Sequence, residues 1–305
     1  MPENCRIHRV DASLYLIDLP VSLKGFEGFI TTWVFTGGPV VVVDVGPSSG
    51  SECLRRALDD IGVTRPDAFL LTHIHLDHAG GIGHLSQAFP QTPIICHPKA
   101  VKHLADPQRL WEGSIKTLGN VAEGYGAMIP VANPLIVPAD EMQLPGLTAL
   151  PTPGHAPHQY SYLITDVVFA GEAGGVCISL ENGGCYMRPA TPPRFFMETC
   201  LESIDRLLAA GPERICYGHV GMQPDARKML HTHREQLVRW RQLIEPWHDE
   251  DSNLGDERME ALLDHLLSQD PLLSDFSRFP ADARERERFF LRNSIKGYWG
   301  YLSEA

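Results

Sequence analysis

Apolar and polar residues change rhythm several times along this chain, and the rhythm predicts alternating strands and helices. Ser13 to Leu19 and Phe29 to Phe35 alternate or run apolar with β-branched and aromatic residues, and Gly37-Gly38-Pro39 breaks the run before Val40 to Val43. These read as three strands, the second pair a hairpin. Between Ser51 and Ile61, Leu54, Ala57, Leu58 and Ile61 recur at three- and four-residue spacing, which is one face of a helix with Ser51 as N-cap and Gly62 as its stop. Ala68 to Leu71 reads as a buried strand, Ile82 to Phe89 as a helix stopped by Pro90, Pro93 to Cys96 as a strand and Ala100 to Leu104 as the start of another helix. From Asp106 to Asn133 the pattern loosens into an insertion. Its aromatics, Trp111 and Tyr125, either roof a pocket or pack on the nearest helix.

Strand character returns at Leu135 to Val137 and Leu147 to Leu150, and Ser161 to Ile164 with Val167 to Ala170 reads as a hairpin about Thr165-Asp166. Gly174 to Pro193, rich in glycine and proline, reads as a loop. Phe195 to Leu208 is an amphipathic helix closed by Gly211-Pro212, and Arg214 to Tyr217 a short strand. Past residue 225 the character changes. Ala226, Leu230, His233, Leu237, Trp240, Ile244 and Trp247 share one helical face, Met259 to Leu267 offers a second helix, and Leu291, Ile295, Tyr298 and Leu302 a third. The alternating charges of Arg284 to Arg288 read as a solvated helix face. The expected division is an α/β domain over residues 1–225 and a helical appendage over 226–305.

Composition narrows the class. The 305 residues are 43% hydrophobic and 21% charged, ordinary for a globular protein with a sizeable core. A formal net charge of −12 argues against nucleic acid or an anionic membrane as partner, since both demand excess cations. The longest apolar runs are too short to span a bilayer, and Met1 to Val10, with Glu3, Arg6 and Arg9, lacks the apolar core of a signal peptide. Seven scattered cysteines with no C-x-x-C spacing fit reduced thiols. The expectation is a soluble cytoplasmic protein acting on a small molecule.

The candidate chemistry lies just after the strand at Ala68 to Leu71. His73, His75, Asp77 and His78 place three imidazoles and a carboxylate within six positions. A helix would set His75 opposite His73 and Asp77, whereas a loop leaving a strand edge can turn all four toward one point, an arrangement suited to a divalent cation. Any one of them could be a hydrogen-bonded core histidine. Four together at a buried strand end would leave costly unpaired polarity without a cation.

His73-x-His75-x-Asp77-His78, with Thr72 before it and Ala79-Gly80-Gly81 after it, resembles the signature of the metallo-β-lactamase superfamily. The resemblance spans about residues 10 to 225 and implies an α/β fold, an αββα sandwich, here with a C-terminal helical appendage. It also points to His155, in Pro151-Thr152-Pro153-Gly154-His155, and to His219, in Gly218-His219-Val220-Gly221, as further ligands. Glu172 stands where the family has the aspartate that bridges two metal ions, one methylene longer. Carried over by position, His73, His75 and His155 hold a first ion and Asp77, His78 and His219 a second, with Glu172 between. Zinc is the expected metal, with iron or manganese as alternatives. Asp44 either supports these ligands or caps a turn, and His158 is expected to be structural. Arg188 either meets a substrate anion or makes an ordinary salt bridge.

Such a resemblance implies a hydrolase. Two ions roughly 3.5 to 4 Å apart share a hydroxide that attacks a polarised carbonyl, with Asp77 orienting it or taking its proton. Similarity to hydroxyacylglutathione hydrolases and N-acyl homoserine lactonases suggests a thioester or a lactone as substrate. The alternatives are a phosphodiesterase and a regulatory or ligand-binding protein that keeps the metal centre, with the helical appendage forming a partner contact or a homodimer. Fold alone does not choose among them.

Overall fold

In the computed structural model of the chain, which describes residues 5–180, 184–248 and 254–304, a seven-stranded sheet occupies the N-terminal half. Its strands lie in sequence order: β1 (Arg6–Arg9), β2 (Leu14–Asp18), β3 (Thr31–Phe35), β4 (Val41–Val43), β5 (Ala68–Leu70), β6 (Ile94–Cys96) and β7 (Ile136–Pro138). Pairing is antiparallel from β1 to β4 and parallel from β4 to β7. Every residue of β4, β5 and β6 is buried, as expected of strands covered on both faces. The sheet's carboxyl edge therefore gathers the residues that follow β4, β5 and β6, the side on which parallel sheets place their ligands.

Helices α1 (Ser51–Asp60), α2 (Leu76–Ala79), α3 (Ile82–Ala88), α4 (Val101–Ala105), α5 (Gln108–Leu118) and α6 (Asn120–Tyr125) connect these strands. Ser51 is the first residue of α1 rather than its N-cap, and its hydroxyl donates to the Ser48 carbonyl at 2.8 Å. Gly62 ends the turn beyond α1 at a φ of 79°. Two readings need correction. The loosened stretch after Asp106 contains α5 and α6, and α5, although amphipathic, buries no residue fully. Tyr125 packs edge-on against Phe26 at 6.2 Å, which decides for packing in its case. The metal-binding loop is likewise partly helical, since Asp77 and His78 lie on the single turn of α2.

The hairpin of β8 (Leu147–Pro151) and β9 (Tyr160–Ile164) completes a first compact unit, residues 1–151 with 158–165. Tyr162, wholly buried, donates from its hydroxyl to the Leu71 carbonyl at 2.9 Å.

The second unit comprises residues 152–157 and 166–305. Its strands are β10 (Val167–Gly171), β11 (Val176–Ser179), β12 (Cys185–Arg188), β13 (Arg214–Tyr217) and β14 (Met222–Gln223), and its helices α7 (Met197–Ala210), α8 (Ala226–Ile244), α9 (Asp256–Gln269) and α10 (Ala281–Glu304). The expected loop from Gly174 to Pro193 is instead an antiparallel hairpin of β11 and β12, with residues 181–183 outside the described residues. Glycine and proline at its ends obscured two short β-branched and aromatic runs.

The apolar stripe of α8 packs within this unit: Leu230, Leu237, Trp240 and Ile244 are at most 1% exposed. Tyr298 of α10 donates its hydroxyl to the Leu237 carbonyl at 2.9 Å, so it is a packed and hydrogen-bonded aromatic. The Gln236 amide donates to the Met187 carbonyl at 2.7 Å, and Thr191 Oγ1 to the Ser294 carbonyl at 2.9 Å, tying α8 and α10 to β12 and the segment after it.

The charged run on α10 is solvated only in part: Glu285 is exposed, but Arg286 and Glu287 face inward. Glu287 is 0% exposed and Arg286 7%, and Glu287 pairs with both Arg286 and the buried Arg188 of β12. Arg188 also stacks on the Phe290 ring at 4.8 Å. Of the two roles open to Arg188, the structure gives it the salt bridge.

The cysteines also depart from expectation. Cys5 is joined to Cys53 and Cys177 to Cys185, while Cys96, Cys200 and Cys216 remain thiols. The first pair is 48 residues apart in sequence, a separation that carries no signal. Among the described residues, no helix is long and apolar enough to cross a membrane.

His233 on α8 gives a first expected result. Burial pushes its imidazole down to about 4, against a smaller opposing effect of Gln236. The unfolded chain takes up a proton near pH 6.5 that the folded chain refuses, so stability is intact above that value and falls as pH drops toward 4. The loss amounts to about 3 kcal/mol at full development. Denaturant unfolding of the native chain and of His233→Leu at about pH 7 and about pH 4.5 checks it: the gap between them must change with pH, and a constant gap contradicts it.

Candidate metal centre

Asp44 follows β4 with a φ of 53°, a left-handed conformation that aspartate tolerates better than most residues. Its carboxylate is 4% exposed and accepts from the Thr72 backbone N–H at 2.8 Å and from the Thr72 hydroxyl at 2.8 Å. His78 Nδ1 lies 2.9 Å from the same carboxylate. An ionised carboxylate only accepts, so His78 carries its proton on Nδ1 and presents the Nε2 lone pair. The effect reaches a second ring. With its proton given to Asp44, the Thr72 oxygen accepts from His73 Nδ1 at 3.0 Å, which leaves the Nε2 lone pair of His73 exposed to a ligand.

That Nε2 stands 2.9 Å from His75 Nδ1. Two ring nitrogens at this separation need a proton or a cation between them. Asp77, on the first turn of α2, points its Oδ2 to within 3.9 Å of His78 Nε2. The close passage of the chain here depends on glycine: a Cβ on Gly80 would stand 3.0 Å from both Pro47 Cα and Ser48 N. His158 accepts from the Ile74 backbone N–H at 3.3 Å, a structural part in holding the loop.

The second unit sets its donors at the ends of parallel strands β10 and β13, where Gly171 pairs with Tyr217. Glu172 and His219 lie just beyond these residues, are 4% and 6% exposed, and approach to 3.2 Å between Oε1 and Nε2. Val220, next to His219, has a φ of 46°, a strained conformation for a β-branched residue of the kind that gathers at functional sites. His155 donates from Nδ1 to the Ala190 carbonyl at 2.7 Å. Since a carbonyl only accepts, Nε2 of His155 is also left with its lone pair.

Every predicted ligand thus lies beyond a strand end with its donor atom accounted for. Within the first unit His73, His75, Asp77 and His78 offer donors of the kind that hold a metal ion, and within the second His155, Glu172 and His219 do. The chemistry fits: imidazoles, with the tautomer fixed in His73, His78 and His155, and carboxylates are ligands of zinc and its neighbours. Sequence reasoning missed the parts played by Thr72 Oγ1 and the Ala190 carbonyl. A hydroxyl flanking the motif was visible, but a main-chain acceptor 35 residues from its histidine leaves no trace in residue type.

Asp44→Asn tests this support. The amide keeps one acceptor for Thr72 but places an NH2 against a donor, so metal affinity should fall by about 10- to 100-fold. Titration with zinc under a competing chelator measures it, and an unaltered affinity removes Asp44 from the support of the ligands.

A model of the metallo-beta-lactamase superfamily matches residues 25–219. The metallo-beta-lactamase fold-containing protein ST1585 of Sulfurisphaera tokodaii is 26% identical over 233 residues, covering 73% of this chain and 84% of its own. A hydroxyacylglutathione hydrolase of Xanthomonas campestris pv. campestris is 27% identical over 213 residues, 68% of this chain and 66% of that protein. Two solved structures share the fold. The crystal structure of ST1585 aligns with 95% of this chain and 98% of its own at 21% identity and a TM-score of 0.61. That of the metallo-beta-lactamase family protein TTHA1429 from Thermus thermophilus aligns with 97% and 95% at 21% identity and a TM-score of 0.64.

Proposed function

The chain belongs to the metallo-beta-lactamase superfamily, and from that membership we propose that it is a metal-dependent hydrolase of a small acyl compound, a thioester or a lactone. In this reading His73, His75 and His155 hold one divalent ion, Asp77, His78 and His219 a second, and Glu172 serves both. Zinc is the metal that these ligands favour. A bound divalent ion supplies Lewis acidity, polarising an acyl carbonyl and making water acidic enough to attack near neutral pH.

The observation that carries the proposal is the tautomer control exerted by Asp44. One buried carboxylate, directly and through Thr72, puts the protons of His78 and His73 on Nδ1 and keeps the Nε2 lone pairs for a ligand. Orientation of this kind is what metal-ligating histidines require. In the same reading Asp77, whose side chain is less buried than that of His78, accepts a proton from water or returns it to the leaving group. The likeness to a hydroxyacylglutathione hydrolase supports a thioester, and the net charge of −12 disfavours a polyanionic partner. A phosphodiesterase gains nothing from Arg188, which is committed to Glu287. Glu172 in place of aspartate favours one second reading, a ligand-binding regulator that retains the metals.

Purified protein, its metal content measured by elemental analysis, should be presented with thioesters, lactones and phosphodiesters. Turnover of a thioester or lactone that disappears on chelation and returns with zinc is the expected result. Tight binding without turnover would decide for the regulator.

A further inference from the structure

The second unit contains a cavity of about 20 Å³ bordered by His155, Glu172, Thr191, Cys200 and His233. That volume is room for one water molecule. Its lining includes residues that bear a carboxylate, hydroxyls, a thiol and imidazoles, the kinds of group that keep an internal water.

His233 is the least explained of these groups. It is 3% exposed on the buried face of α8 beside the equally buried Gln236, whose side chain raises the affinity of the ring for a proton, and among the described residues neither its Nδ1 nor the Gln236 Oε1 makes a hydrogen bond of good geometry. A buried ring nitrogen in that condition is costly and calls for a partner. The ring reaches its place because Gly175 has no side chain: a Cβ there would lie 2.7 Å from both Cε1 and Nδ1 of His233. Gly175, at a φ of 78°, also closes the turn that carries Glu172, donating its N–H to the Glu172 carbonyl at 2.9 Å. One glycine therefore seats the imidazole directly against the Glu172 turn.

We infer that this cavity holds one water, which donates one hydrogen bond to His233 Nδ1 and the other to the Glu172 carboxylate, making His233 a positioning residue for Glu172. The atoms allow it. A neutral imidazole offers one lone pair, a carboxylate has several, and the water oxygen can accept from the Cys200 thiol. Three bonds are the usual complement of an internal water. The link also answers the length of Glu172, whose extra methylene adds a rotatable bond relative to aspartate. A second partner behind the carboxylate restrains that bond. The consequence for catalysis rests on the reading of Glu172 as a metal ligand, whereas the water itself does not.

The test uses the full chain in two measurements. A crystal structure of the native protein should show a water within hydrogen-bond reach of both His233 Nδ1 and Glu172, and a cavity without one overturns the inference. His233→Phe keeps the ring and removes both nitrogens, and His233→Gln returns a polar atom. With cobalt(II) as the probe, the phenylalanine variant should show an altered visible spectrum and about tenfold weaker binding, with substantial recovery in the glutamine variant. A spectrum and affinity unchanged in the phenylalanine variant overturn the positioning role. Native protein that takes up no cobalt refutes the metal reading instead, and the crystallographic water then still decides for or against the cavity's occupant.

Discussion

Replacement of Asp77 by asparagine is expected to lower turnover of an acyl substrate by about 10²- to 10⁴-fold, the range that a positioned proton acceptor contributes. Asparagine keeps an oxygen for the metal but cannot take a proton at neutral pH. Metal content should therefore stay near that of the native chain while kcat falls. Asp77→Ala removes the oxygen as well and should lose both. Asp77 sits on one short helical turn with a side chain 15% exposed, so neither change disturbs a packed core. Circular dichroism and elemental analysis confirm the fold and loading, and steady-state kinetics gives the decisive number. Native turnover in either variant removes Asp77 from the reaction.

The second large effect is on stability. Glu287→Gln is expected to cost about 3–5 kcal/mol, the penalty for breaking a buried ion pair from one side. Burial alone would push the Glu287 carboxyl up, but the Arg188 and Arg286 guanidinia outweigh it and hold the group below the usual carboxylate range. Without that charge, two buried guanidinia face each other uncompensated. Their contribution has a pH signature: it is fully present above about 4.3, the ordinary glutamate value, and fades as pH falls through the depressed value. Replacing Arg188, Arg286 and Glu287 together by apolar residues of similar volume should recover most of the loss, because desolvation of the charges disappears with them. Urea unfolding at pH 7 compares the three proteins. A single variant within about 1 kcal/mol of native would mean that water reaches the pair.

The parts of the fold that the sequence disclosed are those where burial repeats with a fixed period. β4 and β5 are continuous apolar runs, β3 a β-branched and aromatic one, and α8 a clear stripe, so the α/β class and the C-terminal helices followed. The parts it concealed bury little or pair with distant residues. β1 is an edge strand of mostly exposed arginine and histidine without apolar alternation, joined to β2 by its backbone ladder and by side-chain contacts of Arg6 and His8 with Asp18. α5 has no fully buried position. Arg284 to Arg288 looked solvated because the partner that buries Glu287 lies 99 residues earlier. At the candidate site the donors themselves stood out by residue type and spacing. What the sequence left open was their support: Asp44 was divided evenly between two roles, and only its distances to Thr72 and His78 chose one.

That separation of 99 residues also bears on how the chain comes off the ribosome. Synthesis delivers Arg188 long before Glu287, so the growing polypeptide cannot neutralise this guanidinium until α10 has emerged. In nascent chains and premature termination products ending ahead of residue 281, Arg188 keeps its hydration and the apolar surface that α10 covers stays open. Chaperones that bind exposed apolar surface should therefore recognise such fragments.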